Sequence, residues 1–262
     1  MSSFTLLVLC AIAMVLGSRA SVLSSAAASA KASLLKYIST PPPRDSQSAV
    51  DATVRAKVSA LLAANEPDKG KRHVQIETAL RSCRSIDGEW TMIFSSLFPL
   101  QRVPIKSLFA ERAIESEEIV QLTSVTQVWN HISPFDSTSL LLPMSIDNCV
   151  HILFEKNTSS LPLHHDVPGL VVTRGYCTCD PFIAEREPGS VRLRTVWHEQ
   201  DAVVLSTPDD GHTFDSLVGL PHDSIIVTKF SQPLQSDSWV LYIDSDLRIH
   251  KGQSDALIIL CK

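Results

Sequence analysis

Two groups of side chains are of types that could do chemistry. His164, His165 and Asp166 stand shortly before Cys177 and Cys179, and imidazole nitrogens with thiolates are the usual ligands of zinc. The spacing fits no standard ligand set, because Cys-x-Cys is tighter than Cys-x2-Cys and adjacent histidines point in different directions. Strand alternation instead puts both cysteines on one face, as small core residues, so no metal site is expected. Asp244 and Asp246 form a carboxylate pair of the type used in acid–base work. No histidine or nucleophile joins them in a readable motif, and aspartates at a strand bend commonly cap backbone amides. There is no phosphate-binding loop, no Gly-x-Ser-x-Gly and no dinucleotide fingerprint. The chain reads as non-enzymatic and free of cofactors.

The elements that position these residues are mostly strands. Between Trp239 and Ile243 successive side chains alternate in the period of two. Lys251-Gly252-Gln253-Ser254 suits a hairpin loop, so 239–262 is expected as two strands joined there. Ala256 to Leu260 is apolar on both faces, as in a strand that closes a barrel. Ile86 to Phe94 carries Gly-x-Trp at the head of a strand, with Trp90, Met92 and Phe94 expected on one face and Glu89, Thr91 and Ser95 on the other. Segments 119–129, 149–156, 170–178, 191–204 and 225–230 repeat the β-branched type, separated by joints such as Thr207 to Gly211. That makes about eight strands with no helix-period segment between them, hence an antiparallel sheet. The fold class is mainly β, an antiparallel barrel able to hold one small ligand, with short N-terminal helices. Those helices are expected at 48–65, with Ser48 and Asp51 as a capping box and Val50, Val54, Val58 and Leu61 as an apolar stripe, and from Val74 to about Cys83.

Tyr242-Ile243-Asp244-Ser245-Asp246-Leu247-Arg248-Ile249, then Lys251-Gly252, then an apolar strand, resembles the C-terminal signature of the plastid lipid-associated proteins, or plastid fibrillins. Ile243, Ser245 and Lys251 stand where that family has Leu, Glu and Arg, and the glycines expected near Ser254 and Asp255 are absent. The Gly-x-Trp strand is similar to the first strand of that family and of lipocalin-like barrels. The resemblance implies a lipocalin-like barrel, with Gly88, Trp90, Asp244, Asp246, Leu247 and Arg248 as its structural signature and Arg248 covering Trp90. Trp90, Met92, Phe94, Leu97 and Phe98 are the candidates for ligand contact. Segment 96–112, with Pro99 and Pro104 denying it a regular strand or one continuous helix, would be the long loop over the barrel mouth. The implied role is a non-enzymatic protein of plastoglobule or thylakoid lipid that binds or shields isoprenoids, carotenoids, quinones or fatty acids. Its partners would be a hydrophobic small molecule or a lipid surface, with peripheral membrane or lipid-droplet association. A secreted lipocalin-like carrier and a carotenoid-modifying enzyme on the same scaffold are the alternatives.

Composition agrees with a real core: 44% of the 262 residues are hydrophobic and 19% charged. A formal net charge of −5 without a basic face argues against nucleic acid. Six cysteines, one of them in the leader, are not a disulfide framework. The apolar run Phe4 to Gly17 followed by Ser18-Arg19-Ala20 reads as a signal peptide over 1–20. Residues 21–44 contain no acid and many serines and alanines, a transit-like or flexible segment, ended by the linker Pro41-Pro42-Pro43. The barrel domain with its helices is then 45–262. This two-part address suits a plastid reached through the secretory pathway, as in algae with secondary plastids; plain secretion is the alternative. Asn157-Thr158-Ser159 is a glycosylation sequon.

Overall fold

The computed structural model describes residues 24–40, 47–81, 86–96, 102–109, 116–131, 144–157, 159, 163–180, 187–205, 213–218 and 228–262. The proposed signal peptide, Leu97, Phe98 and Cys83 lie outside these residues, as does Thr158 of the sequon. The chain divides into two compact units, Met1–Pro67 and Asp68–Lys262.

In the first unit two helices pack on each other, α1 (Ser25–Ser39) and α2 (Gln47–Asn65). Helix α1 falls in the segment read as transit-like or flexible. Its alanine-rich sequence favours a helix, and the Ser24 hydroxyl caps it by accepting from Ala27 N–H at 3.1 Å. In α2 the stripe Val54, Val58 and Leu61 is buried as its spacing requires. The capping box does not form: Ser48 lies inside the helix, and Asp51 accepts from Arg55 Nε at 2.8 Å one turn on. The units divide after Pro67, so α2 falls in the first unit with α1.

The second unit begins with α3 (Lys69–Leu80), capped by Asp68, which accepts from Gly70 and Lys71 N–H. Nine strands follow: β1 (Gly88–Ser95), β2 (Arg102–Pro104), β3 (Ile119–His131), β4 (Met144–Phe154), β5 (Val167–Asp180), β6 (Val191–Val204), β7 (Thr228–Ile243), β8 (Leu247–Gly252) and β9 (Leu257–Cys261). A 3-10 turn, Ile105–Leu108, follows β2, and a short helix α4, Phe214–Val218, precedes β7. Eight strands close an antiparallel barrel in the order β1-β9-β8-β7-β6-β5-β4-β3, with β1 pairing back onto β3; β2 continues the β1 edge of β3. Closure is direct: Thr91 pairs with Cys261, Met92 with Leu260, and Trp90 with Gln127. No helix among the described residues is long and apolar enough to cross a membrane.

Two sequence readings are corrected by register. Between Met92 and Phe94 a β-bulge inserts one residue, so Phe94 pairs with Ile259 and Ser95 with Ile258. Met92 shares the inner face with Leu260 while Phe94 turns outward and Ser95 takes its place inside. Residues 239–250 are likewise not one strand. They are β7 and β8, folded at Asp244, whose Oδ1 accepts from Asp246 and Leu247 N–H at 3.1 and 2.8 Å. An aspartate that satisfies two backbone donors makes a tight turn at this position. The hairpin loop expected after Lys251 does form, between β8 and β9, with Asp255 at φ 60°.

The barrel interior has two apolar ends. At one end Trp90, Trp129, Ile146, Leu193, Val240 and Leu260 pack with Ile76, Leu80 and Ile86. Helix α3 is held there by Arg72, which donates to the Pro188 and Gly189 carbonyls, and by His131, whose ring meets Asp87 Oδ1 at 2.6 Å and the Leu80 carbonyl at 3.1 Å. At the other end Leu122, Ile152, Phe154 and Val171 pack with Ile105, Phe109, Phe214 and Leu217. The Phe214 ring stands edge-on to Phe154 at 5.9 Å.

Candidate ligand cavity

Between the two apolar ends lies a cavity of about 390 Å³. Its walls are the inner faces of β4 to β7, capped by the 3-10 turn. Leu108, Phe109, Trp197, Phe230 and Leu234 give it apolar surface; Ser107, Asn148, Thr173 and Gln200 give it polar groups. Inner-face positions are set by pairing: Asn148 faces Thr173, Thr173 faces Gln200, and Trp197 faces Leu234.

Two local features make the space. Gly175 sits opposite Trp197, and a Cβ there would come within 2.7 Å of the Val196 carbonyl and 2.9 Å of the indole. Only glycine lets the indole lie flat over the strand at that point. The second feature is unequal strand length. β8 pairs with β7 only as far as Ser238, so Thr228 to Asp237 is paired on the β6 side alone among the described residues. The β6–β7 ladder also breaks between Leu234 and Lys229, around Pro233. Leu234, 43% exposed, stands at that gap and opens the cavity sideways.

The polar groups are largely engaged. The Gln200 amide donates to the Leu108 carbonyl at 2.7 Å and to Thr173 Oγ1 at 3.2 Å, tying the 3-10 turn to the barrel wall. Asn148 Oδ1 accepts from Gln127 Nε2 at 3.3 Å. Trp197 Nε1 donates to Ser236 Oγ at 3.0 Å, which fixes the ring as one wall.

A buried cation sits at the end plugged by Trp90 and Trp129, hereafter the closed end. Arg248, fully buried, lies over the Trp90 ring at 4.1 Å and the Trp129 ring at 4.5 Å. Its Nη2 donates to the Ile86 carbonyl at 3.5 Å, while Nε and Nη1 meet no acceptor among the described residues. Burial pushes the guanidinium down to about 9, so it keeps its charge at neutral pH. Next to it on the inner face, His250 is held well below its ordinary value, first by burial and then by the Arg248 charge. Its Nδ1 lies 3.4 Å from Ser238 Oγ.

Of the residues singled out by sequence, Trp90 and Arg248 come together as expected. Gly88 has φ 113°, a conformation that favours glycine, where β1 begins opposite Trp129. Leu247 is buried and Asp246 exposed. Asp244 spends both carboxylate oxygens on the turn, Oδ2 accepting from the Tyr242 hydroxyl at 2.6 Å. Trp90, Met92 and Phe94 do not line the cavity. Cys177 and Cys179 are buried at the closed end while His164 and His165 are exposed, so the four are not brought together. Burial pushes the Cys177 thiol up to about 12. The true lining residues were missed because Asn148, Thr173 and Gln200 are ordinary strand residues one at a time. The one available signal was their polarity at inward positions of otherwise apolar strands.

No protein-family model matches this chain. No curated protein and no solved structure matches it either.

Proposed function

We propose that this protein is a non-enzymatic carrier that holds one hydrophobic small molecule inside its barrel and works at a plastid lipid surface. The observation that carries the reading is a cavity of about 390 Å³ that lies between the two apolar clusters and opens to solvent beside Leu234. That volume is toward the lower end of the ~300–1,000 Å³ typical of ligand sites. It suits a small ligand, or one end of a long one such as a fatty acid or an isoprenoid. A ligand that buries ~400 Å² of apolar surface gains ~10 kcal/mol at ~25 cal/mol per Å². Losing at least ~4 kcal/mol of translational and rotational freedom leaves at most ~6 kcal/mol, an affinity of tens of micromolar or weaker. The resemblance of the Gly88–Trp90 and Asp246–Ile249 segments to plastid fibrillins supports the plastid and the lipid partner.

The test is mass spectrometry of lipids that co-purify with the full-length chain, together with a reporter fused to its C-terminus. One apolar molecule per chain and reporter signal in the plastid are the expected results. A chain that carries no apolar molecule, and binds none when titrated, would refute the carrier; reporter in the medium would move it outside the cell.

A further inference from the structure

We infer that the cavity selects uncharged ligands: an apolar body ending in a hydroxyl or carbonyl oxygen, in preference to a fatty-acid carboxylate. This rests on the carrier reading and specifies its ligand. Among the described residues, the polar side chains that line the cavity are all neutral: Ser107, Asn148, Thr173 and Gln200. The Ser107 hydroxyl already donates to the Pro104 carbonyl at 2.7 Å, and the Gln200 amide donates to Leu108 and Thr173. Thr173 Oγ1 and Asn148 Oδ1 both act as acceptors. Both side chains still offer the cavity donors, the Thr173 hydroxyl hydrogen and the Asn148 amide N–H, beside the one lone pair left on each oxygen. Two neutral donors on adjacent strands suit one neutral oxygen.

They do not suit a carboxylate. An ionised group drawn from water into a site without a cationic partner loses hydration that two neutral donors replace only in part. The basic groups on the inner face of β8 do not supply one. Arg248 is enclosed with Trp90 and Trp129, and His250 is held neutral; neither lines the cavity. Among the described residues, none of those lining it carries a charge.

The experiment is calorimetric titration of delipidated full-length protein with hexadecanol, methyl palmitate and palmitate at mildly alkaline pH, where the acid is ionised. The alcohol and the ester should bind at least about tenfold tighter than the acid, the ratio that ~1.4 kcal/mol produces. Equal or tighter binding of palmitate, with the neutral pair still bound, overturns this inference and leaves the carrier intact. Failure of all three to bind overturns both. Thr173→Val keeps the shape and removes the hydroxyl, both the donor to the ligand and the acceptor of the Gln200 amide. It should weaken hexadecanol several-fold and leave palmitate unchanged; an equal loss for all three ligands would mean that Thr173 serves packing alone and would count against the inference.

Discussion

Arg248 lies across the face of Trp90, its guanidinium carbon 4.1 Å from the ring centroid, and both residues are fully buried. The two share an acceptor: Trp90 Nε1 donates to the Ile86 carbonyl at 2.9 Å and Arg248 Nη2 to the same oxygen at 3.5 Å. The contact joins β8 to β1 across β9 and so locks the strands that close the ring. Its balance is unusual, because the cation has aromatic faces and one carbonyl but no carboxylate partner among the described residues. Cation–π attraction of ~0.5–2 kcal/mol per ring is set against a desolvation cost of several kcal/mol for a buried ion.

That balance predicts a divergence between two variants. Arg248→Ala should lower unfolding stability by ~2–5 kcal/mol, because it leaves a void against two indoles. Arg248→Met fills the space without the charge and should cost less than ~1 kcal/mol or stabilise. Urea denaturation of both proteins checks this. A Met variant as unstable as the Ala variant would show that the charge itself holds the closed end.

His250 gives a pH dependence with a defined sign. Burial and the neighbouring Arg248 oppose its protonation in the fold but not in the unfolded chain. The folded state therefore binds fewer protons, and stability falls as pH drops below the unfolded value of about 6.5. The slope from this one group approaches ~1.4 kcal/mol per pH unit. In paired denaturation curves between neutral pH and the mid-acid range, His250→Gln should flatten the curve. An unchanged slope would place the acid sensitivity elsewhere.

Asp244 holds the β7–β8 turn through two backbone N–H groups and the Tyr242 hydroxyl. Asp244→Ala strands these donors and should cost ~1–3 kcal/mol. Burial, and after it the Asp244 carboxylate, holds the Tyr242 phenol well above its ordinary range. Asp244→Asn should therefore let Tyr242 ionise at lower pH, visible in ultraviolet titration. A phenol titration unmoved by Asp244→Asn would assign the whole effect to burial.

Gly175 shapes the cavity by being absent on one side. Gly175→Ala would place a methyl against the Val196 carbonyl and the Trp197 indole, at 2.7 and 2.9 Å. Overpacking of this kind costs ~1–3 kcal/mol. The displaced indole should also weaken ligand binding and shift the Trp197 emission. A variant that binds as tightly as the parent would show that Trp197 is not a working wall of the site.

The sequence by itself determined that the chain is mainly β with N-terminal helices, though not α1, β2 or α4, nor that 228–243 is one strand. β-Branched composition placed β6 at 191–204, end to end as observed, and polar joints left an antiparallel order that could close. The pairing of first and last strands, and Arg248 upon Trp90, were legible through the resemblance of two short signatures. Alternation is a local property of the pleat and survives in any register, so it can be read without the partner strand. Faces and cavities cannot. Five of the ladders contain a bulge or irregularity, among them those at Met92/Phe94 and Trp197/Glu199, and each reverses the face assignment beyond it. Whether a strand bulges depends on what its neighbour presents, which local pattern does not encode. The cavity is more remote still, assembled from residues between Ser107 and Leu234 on the 3-10 turn and four strands. It is the volume that packing leaves over when β8 is shorter than β7 and Gly175 yields to Trp197, and only the tertiary structure fixes that volume.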